Sequence, residues 1–317
     1  MTEQQPHRSG TVALVAERAR ARVADVDEGG TASLLYRSRR FFGRVLETRL
    51  VGSGLFVLVL VVLCAVFADV LAPYHPNEQD YLALTEAPSG AHLLGTDDIG
   101  RDVLSRIIYG SRVSLLVGVI AVGIAVALGV TLGLLAGYAG GLVEDVVMRI
   151  VDALQAFPGL ILALGIAAAL GPGIEKAMIA IGIVATPAMA RLTRAQTLAI
   201  REREFVSAAR VIGASPFDIV IRHIWPNVTA PIIVQATLLV ATAIVTEAGL
   251  SFLGVGVVPP TPSWGSMIRT GSQYLEVAPW MSFAPGVVIF VTVLAFNFVG
   301  DGLRRALDPR LLARGRG

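Results

Sequence analysis

The most informative property of this sequence is its shortage of charge. Of its 317 residues only 16% are Asp, Glu, Lys or Arg, against about 25% in an ordinary soluble domain. Hydrophobic residues make up 54%, and the mean hydropathy is +0.69. Because so much apolar surface must face lipid rather than water, these values exclude a purely soluble protein.

Residues that carry common enzyme chemistry are also scarce. Cys64 is the single cysteine, so no disulfide can form within the chain, and its apolar neighbours indicate a packed side chain. Lys176 is the single lysine and follows Ile174 and Glu175, so the phosphate-binding pattern Gly-x-x-x-x-Gly-Lys-Ser/Thr is missing. The patterns Gly-x-Ser-x-Gly and His-Glu-x-x-His are missing too.

The histidines and the net charge also give no sign of catalysis, metal binding or nucleic-acid binding. The four histidines are scattered along the sequence, which argues against a metal site: His7, His75, His92 and His223. The net charge of +2 gives no reason to expect a nucleic-acid partner. We therefore expect a non-catalytic chain that holds no cofactor of its own.

Six stretches contain no charged residue and are candidates for membrane spans, since a helix needs about 17 to 25 apolar residues to cross the bilayer. They are 51–68, 113–143, 153–174, 177–190, 228–246 and 277–300. The fourth has only 14 residues and can span only if Lys176 and Arg191 extend from its ends toward the headgroups. The sequence thus predicts an all-α polytopic membrane protein with six transmembrane helices.

The distribution of basic residues predicts the orientation. With six spans and a cytoplasmic amino terminus, 21 of the 26 basic residues lie inside, as the positive-inside rule requires, and both termini are cytoplasmic. No cleavable signal is expected, because residues 1–49 are polar. Residues 1–30 look disordered or weakly helical, and 31–50 form either an interfacial basic helix or a solvated basic tail.

The predicted organisation has four parts. They are a cytoplasmic tail (1–49), a first helix with its external loop (50–112), a core (113–305) and a cytoplasmic tail (306–317). Within the core, small residues recur every fourth position of the second span, which predicts one face for close helix packing: Ala121, Ala125, Gly129, Gly133 and Gly137. On the next helix, Asp145, Arg149 and Asp152 are spaced to pair with one another.

The segment from Arg191 to Pro226 is too charged to enter lipid and too long for a simple connector. Ala208 and Ala209 give a small helix surface, Gly213 interrupts that helix, and a second helix then begins. Its start signal is Ser215 as N-cap, Pro216 at the first position and Asp218 at the third, with Pro226 ending the helix. The residues alone leave open whether this is a rigid cytoplasmic projection or an amphipathic connector on the headgroups.

The run FVSAARVIGASPFDIVIRHIWPN resembles the EAA loop of importer-type ATP-binding-cassette (ABC) permeases, with the pattern Glu-Ala-Ala, three residues, Gly, nine residues, Ile-x-Leu-Pro. The matching positions are Ser207, Ala208, Ala209, Gly213 and Pro226, with Ser207, His223 and Trp225 replacing Glu, Ile and Leu. We call residues 205–226 the EAA-like segment. Segments 92–115, 138–164, 246–267 and 294–310 resemble the C-type permease of the oligopeptide/dipeptide/nickel importers.

That resemblance implies a type I ABC importer permease fold and a set of partners. A homologous second permease would complete the translocation path, and one or two cytoplasmic ATPase subunits, which bind ATP and Mg²⁺, would dock on the EAA-like segment. An extracytoplasmic solute-binding protein would deliver peptide. The alternatives are the same architecture with a nickel chelate, glutathione or another small solute as cargo, and a membrane scaffold protein. A secondary transporter is disfavoured because the spans contain almost no mid-membrane charges.

Two further features allow two interpretations each, and a third has one. Glu247 lies at the end of the fifth apolar run and is either a pathway or gating residue, like Asp152, or a carboxylate at a helix end that is hydrated or hydrogen-bonded to nearby backbone. The charged loop cluster either faces the solute-binding protein or is merely solvated: Asp97, Asp98, Arg101 and Asp102. Glycines and prolines in 254–262 exclude a continuous helix there, and Trp264 and Trp280 fit an interfacial aromatic belt.

Overall fold

The structure, a computed structural model, describes residues 49–307 and is helical almost throughout. The helices are α1 (Arg49–Val66), α2 (Ala68–Leu71), α3 (Val103–Ala139), α4 (Gly141–Gln155), α5 (Gly159–Leu170), α6 (Ile174–Arg201), α7 (Glu204–Val211), α8 (Pro216–Asp218), α9 (Trp225–Phe252), α10 (Trp264–Ser272) and α11 (Trp280–Leu307). A π-helical turn, Ile219–Ile224, joins α8 to α9. Within 49–307, β pairing is limited to an isolated bridge between Thr96 and Asp102. The all-α prediction is confirmed, whereas the predictions for 1–48 and for the tail from 308 to 317 lie outside the described residues.

Five helical stretches are long and apolar enough to cross a membrane: α1, α3, α6, α11 and the continuous stretch from α8 through α9. A sixth span exists only if α4 and α5 are taken together, and these two helices meet at 93°. The span predicted over 153–174 thus corresponds to the end of α4 and to α5, with a bend between them. Pro158 cannot continue the helical hydrogen bonds and disfavours helical backbone at Phe157, so α4 ends at Gln155 and α5 begins at Gly159.

The helix that contains the second predicted span begins ten residues before the uncharged stretch. Asp102 caps α3 by accepting a hydrogen bond from the Ser105 amide at 2.7 Å. Two arginines within the first turns are tolerated because backbone carbonyls of earlier residues accept hydrogen bonds from their guanidinium groups. Arg106 donates to Pro76 at 2.9 Å, and Arg112 donates to Ala65 at 2.5 Å. Charge therefore failed to mark the start of α3, because each arginine has a partner before the helix.

The helices form a bundle with two distinct ends. At the loop end, residues 67–102 and 253–279 cover the bundle, and the Trp280 indole donates to the Thr96 carbonyl at 3.1 Å. At the opposite end lie α7 and α8, where Arg201 donates to the Gly137 carbonyl at 3.1 Å. The largest buried apolar cluster draws on α3, α5, α6 and α9 and lies between these ends.

Candidate functional site

The EAA-like segment forms two short helices joined by a tight turn. Gly213 has a φ of +84°, a left-handed conformation that favours glycine. Its amide donates to the Arg210 carbonyl, and the Ala214 amide donates to Ala209, both at 3.0 Å, which ends α7 with a glycine C-cap. Ser215 then caps α8 by accepting from the Asp218 amide at 3.1 Å. The turn is therefore fixed by local hydrogen bonds on both sides of Gly213.

Three large apolar side chains at this turn are unusually exposed. Val211 is 87% exposed, Ile212 84% and Phe217 74%. On the other side of the segment, Val206 and Ile219 are buried and anchor it to the bundle. We call Val211, Ile212 and Phe217 the apolar tip. A rigid apolar surface held clear of the bundle is suited to insertion into a concave apolar surface on a partner.

The residues expected for coupling fall on both faces of the segment. Ser207 and Ala208 are exposed, and Ala209 is buried against the bundle. Ser215 Oγ donates to the Asp218 carboxylate at 2.6 Å. The His223 ring lies 6.4 Å from that of Phe205, measured between centroids. The structure thus brings the start and the end of the EAA-like segment together, with the apolar tip projecting between them.

Pro226 does not end the second helix, contrary to expectation. The helix runs through it, from Pro216 to Phe252. A proline inside an α-helix removes one backbone donor and crowds the carbonyl four residues before it. Here the π-helical turn Ile219–Ile224 directly precedes Trp225 and Pro226, and its wider hydrogen-bond ring accommodates the proline at the first turn of α9. Sequence reasoning missed this turn, because a proline alone does not distinguish it from a helix end.

The first part of 191–226 is not a separate surface segment either. Helix α6 continues to Arg201, and its arginines have partners on neighbouring elements. Arg194 Nε donates to Glu144 of α4 at 2.6 Å, and Arg191 donates to Asp152 of α4, also at 2.6 Å. The expectation that Asp152 pairs within its own helix is therefore wrong, since its carboxylate reaches across to α6. These ion pairs fasten α4 to the end of α6 that leads into the EAA-like segment.

The small-residue face of α3 lies against α6. A Cβ added to Gly133 would be 2.5 Å from Thr193 Cβ and 2.6 Å from the Ala190 carbonyl oxygen. Gly129 and Gly137 have similarly close neighbours on α6, and Ala121 and Ala125 are fully buried. The two backbones therefore approach as closely as glycine permits.

Glu247 is completely buried, so its carboxylate is not the hydrated group at a helix end that the sequence allowed, and its hydrogen-bond partner is a side chain. Its Oε1 accepts a hydrogen bond from Ser251 Oγ at 2.7 Å. Ser251 Oγ in turn accepts from the Val257 amide at 3.1 Å. Glu247 therefore takes part in holding the loop after α9 against the end of that helix.

The charged loop cluster is also folded rather than solvated. Asp97 is buried and accepts from Arg101 Nε at 2.6 Å, and Asp102 is buried with His92 Nδ1 3.0 Å from its carboxylate. Burial, reinforced by the neighbouring Asp97 charge, raises the pKa of Asp98. These side chains stabilise the fold of the loop end. Within 49–307, no three His, Cys, Asp or Glu side chains are grouped so that they could hold a metal ion.

The two tryptophans of the loop end do not form an aromatic belt. Trp264 is 1% exposed, and its indole donates to the Ile107 carbonyl at 3.0 Å. Trp280 is partly buried and bonded to the Thr96 carbonyl. Both rings instead fasten the elements after α9 to the start of α3 and the loop before it.

The chain matches two family descriptions. Residues 129–313 match the binding-protein-dependent transport system inner membrane component, and residues 38–88 match the N-terminal TM domain of oligopeptide transport permease C. Among solved structures, it resembles a chain of the MetNI methionine ABC transporter in an inward-facing crystal form. That match has a TM-score of 0.54 and 20% identity and covers 65% of this chain and 97% of the other, so it supports the fold.

Curated relatives are much more similar in sequence. The di/tripeptide transport system permease protein DppC of Pseudomonas aeruginosa (strain UCBPP-PA14) is 45% identical, with 88% of this chain and 95% of the relative covered. Dipeptide permease DppC of Escherichia coli K12 is 52% identical, with 81% and 88% covered. The glutathione permease GsiD of Shigella flexneri serotype 5b (strain 8401) is 48% identical, with 82% and 86% covered. This chain therefore belongs to the family of binding-protein-dependent transport system inner membrane components.

Proposed function

We propose that this chain is one of two permease subunits of an ATP-driven peptide importer. The observation that carries the proposal is the EAA-like segment, whose glycine turn presents the apolar tip clear of the bundle. The family to which the chain belongs supplies the transport context.

The EAA-like segment is the docking site for a cytoplasmic ATPase in this proposal. We place it on the cytoplasmic side because most basic residues then lie inside. The apolar tip enters a cleft on the ATPase, while Ser207 and Ala208 provide a small neighbouring surface. Since the segment continues into α9 and connects to α6 through residues 202–203, movement of the ATPase is transmitted to two spans.

ATP and Mg²⁺ bind to the partner subunits, because this sequence has no phosphate-binding loop. A homologous second permease encloses the path together with this chain, and an extracytoplasmic solute-binding protein delivers the cargo at the loop end. Alternation between inward- and outward-facing states then moves the cargo across the membrane.

Peptides are the proposed cargo because the DppC relatives that cover most of this chain are dipeptide and di/tripeptide permeases. Glutathione is the second candidate, favoured by the GsiD relative at 48% identity. Glutathione is itself a small peptide, so both cargoes present amide groups and carboxylates to the path.

The test uses the assembled transporter in proteoliposomes. A dipeptide, glutathione and a nickel chelate are each supplied with the solute-binding protein, and uptake and stimulated ATPase activity are measured. We expect the dipeptide to stimulate both. Stimulation by the nickel chelate alone would overturn the peptide assignment.

A second measurement tests the docking site. Phe217→Ser removes an exposed apolar side chain of the tip and should reduce co-purification of the ATPase. Leu82→Ser is the matched control, because Leu82 is 98% exposed but lies at the loop end. Equal ATPase recovery with both variants at equal membrane abundance would refute the docking assignment.

A further inference from the structure

A cleft of about 650 Å³ opens among α6, α9 and α11, in the half of the bundle nearer the EAA-like segment. Its walls are stripes with helical spacing, at 192, 196 and 200 on α6 and at 227, 231 and 235 on α9. Arg304 of α11 contributes a guanidinium group. A cleft of this volume is large enough for a small peptide.

Three carboxamide side chains line this cleft, in spans that are otherwise mostly apolar: Gln196, Asn227 and Gln235. Asn227 donates to the carbonyl of His223 at 2.7 Å. Gln196 and Gln235 are half-buried and make no side-chain hydrogen bond to another described residue. The amide groups of Gln196 and Gln235 are therefore free to exchange hydrogen bonds with a ligand in the cleft.

Pro231 adds a backbone acceptor to the same wall. Because proline has no N–H, the carbonyl of Asn227, four residues earlier, lacks its regular helical donor. Both residues line the cleft. A backbone carbonyl without its helical donor can accept a hydrogen bond from an N–H group of a solute in the cleft.

The chemistry of this wall matches a peptide main chain. A carboxamide carries an acceptor oxygen and two N–H donors on the same carbon, so it can form hydrogen bonds with the N–H and C=O of a peptide main chain without contacting the peptide's side chains. The guanidinium of Arg304 suits a terminal carboxylate. On the basis of the proposed function, we propose that this cleft is a transit site that reads the peptide main chain through Gln196 and Gln235.

The test again uses the assembled transporter in proteoliposomes. Gln196→Leu and Gln235→Leu should each lower the ratio of peptide taken up to ATP hydrolysed about three- to tenfold. Each substitution removes one or two neutral hydrogen bonds to the peptide. Asn297→Leu is the matched control, because Asn297 is an exposed carboxamide on α11 outside this cleft. Trialanine and trilysine should lose uptake by the same factor, because their main chains are identical. Wild-type rates in both glutamine variants, or a loss confined to one peptide, would overturn the proposal.

A photoreactive residue at position 235 identifies the occupant directly. During turnover it should label radioactive trialanine, whereas the same residue at 297 should not. Adducts only with the second permease, or only with residues 1–48 of this chain, would show that protein fills the cleft and would overturn the inference. If wild-type transporter takes up no peptide or glutathione, the proposed function itself fails, which is distinguishable from wild-type uptake with unaffected variants.

Discussion

Replacing Gly133 by alanine should weaken the contact between α3 and α6. The new Cβ would lie 2.5 Å from Thr193 Cβ and 2.6 Å from the Ala190 carbonyl oxygen, so the two backbones must separate. Gly123→Ala is the matched control on the same helix, because nothing lies within 4 Å of a Cβ added there. Both variants gain the same helix propensity, about 1 kcal/mol for alanine over glycine.

The difference between the two variants therefore isolates the steric term. Overpacking of one methyl group costs about 1–3 kcal/mol, which corresponds to a melting temperature several degrees lower for Gly133→Ala than for Gly123→Ala. Thermal unfolding of the detergent-solubilised chain, followed by size-exclusion chromatography with fluorescence detection, measures this difference.

A second substitution on α6 tests the cause. Thr193→Gly removes one of the two colliding groups, so it should recover part of the loss when combined with Gly133→Ala. It should recover none in the Gly123→Ala background, which makes the comparison a double-mutant cycle. Equal melting temperatures for the two alanine variants would refute the close approach of α3 and α6.

Three further outcomes are expected. Gly213→Leu should insert normally but abolish uptake, because a φ of +84° costs a branched side chain about 1–2 kcal/mol. Gly213→Asn should retain most uptake. Unchanged uptake for the leucine variant at equal abundance would contradict the coupling role. Arg194→Leu should lower stability by about 1 kcal/mol by leaving the Glu144 carboxylate unpaired; adding Glu144→Gln should restore melting temperature, and no recovery would exclude the ion pair as the cause. Trp264→Phe should cost about 1–2 kcal/mol through loss of the bond to the Ile107 carbonyl; an unchanged melting temperature would show that this bond adds no stability.

Sequence reasoning succeeded where the determining interactions are local. The cap at Ser215, the proline after it and the left-handed glycine at 213 each depend on hydrogen bonds within a few residues, so the start of α8 and the end of α7 could be predicted. The all-α membrane class followed equally directly from composition. The EAA-like segment was recognisable because the spacing of its alanines, glycine and proline follows from the same helix, glycine turn and second helix.

The remaining features depend on contacts distant in sequence. Arg106 and Arg112 are accommodated in α3 by carbonyls of earlier residues, so the absence of charge did not mark the start of that helix. Trp264 was predicted to lie at the headgroups, because its hydrogen-bond partner, the Ile107 carbonyl, is 157 positions away in the sequence. The exposure of the apolar tip also escaped prediction, although three large apolar residues beside a glycine turn in a charged segment were a signal that could have indicated it.

Helix α6 is continuous although it contains Pro187, and its length has a mechanical consequence. Its 28 residues make a rod about 42 Å long. The preceding Gly173 amide bonds to the Gly256 carbonyl at the loop end, and the rod's other end leads into α7. Backbone and Cβ atoms of α6 occupy the space beside Gly129, Gly133 and Gly137 of α3. Sliding of α6 along its own axis past α3 is therefore blocked, whereas tilting of α6 against α3 is less hindered. A tilt of about 10° would displace one end by about 7 Å relative to the other, so α6 can act as a lever across the membrane.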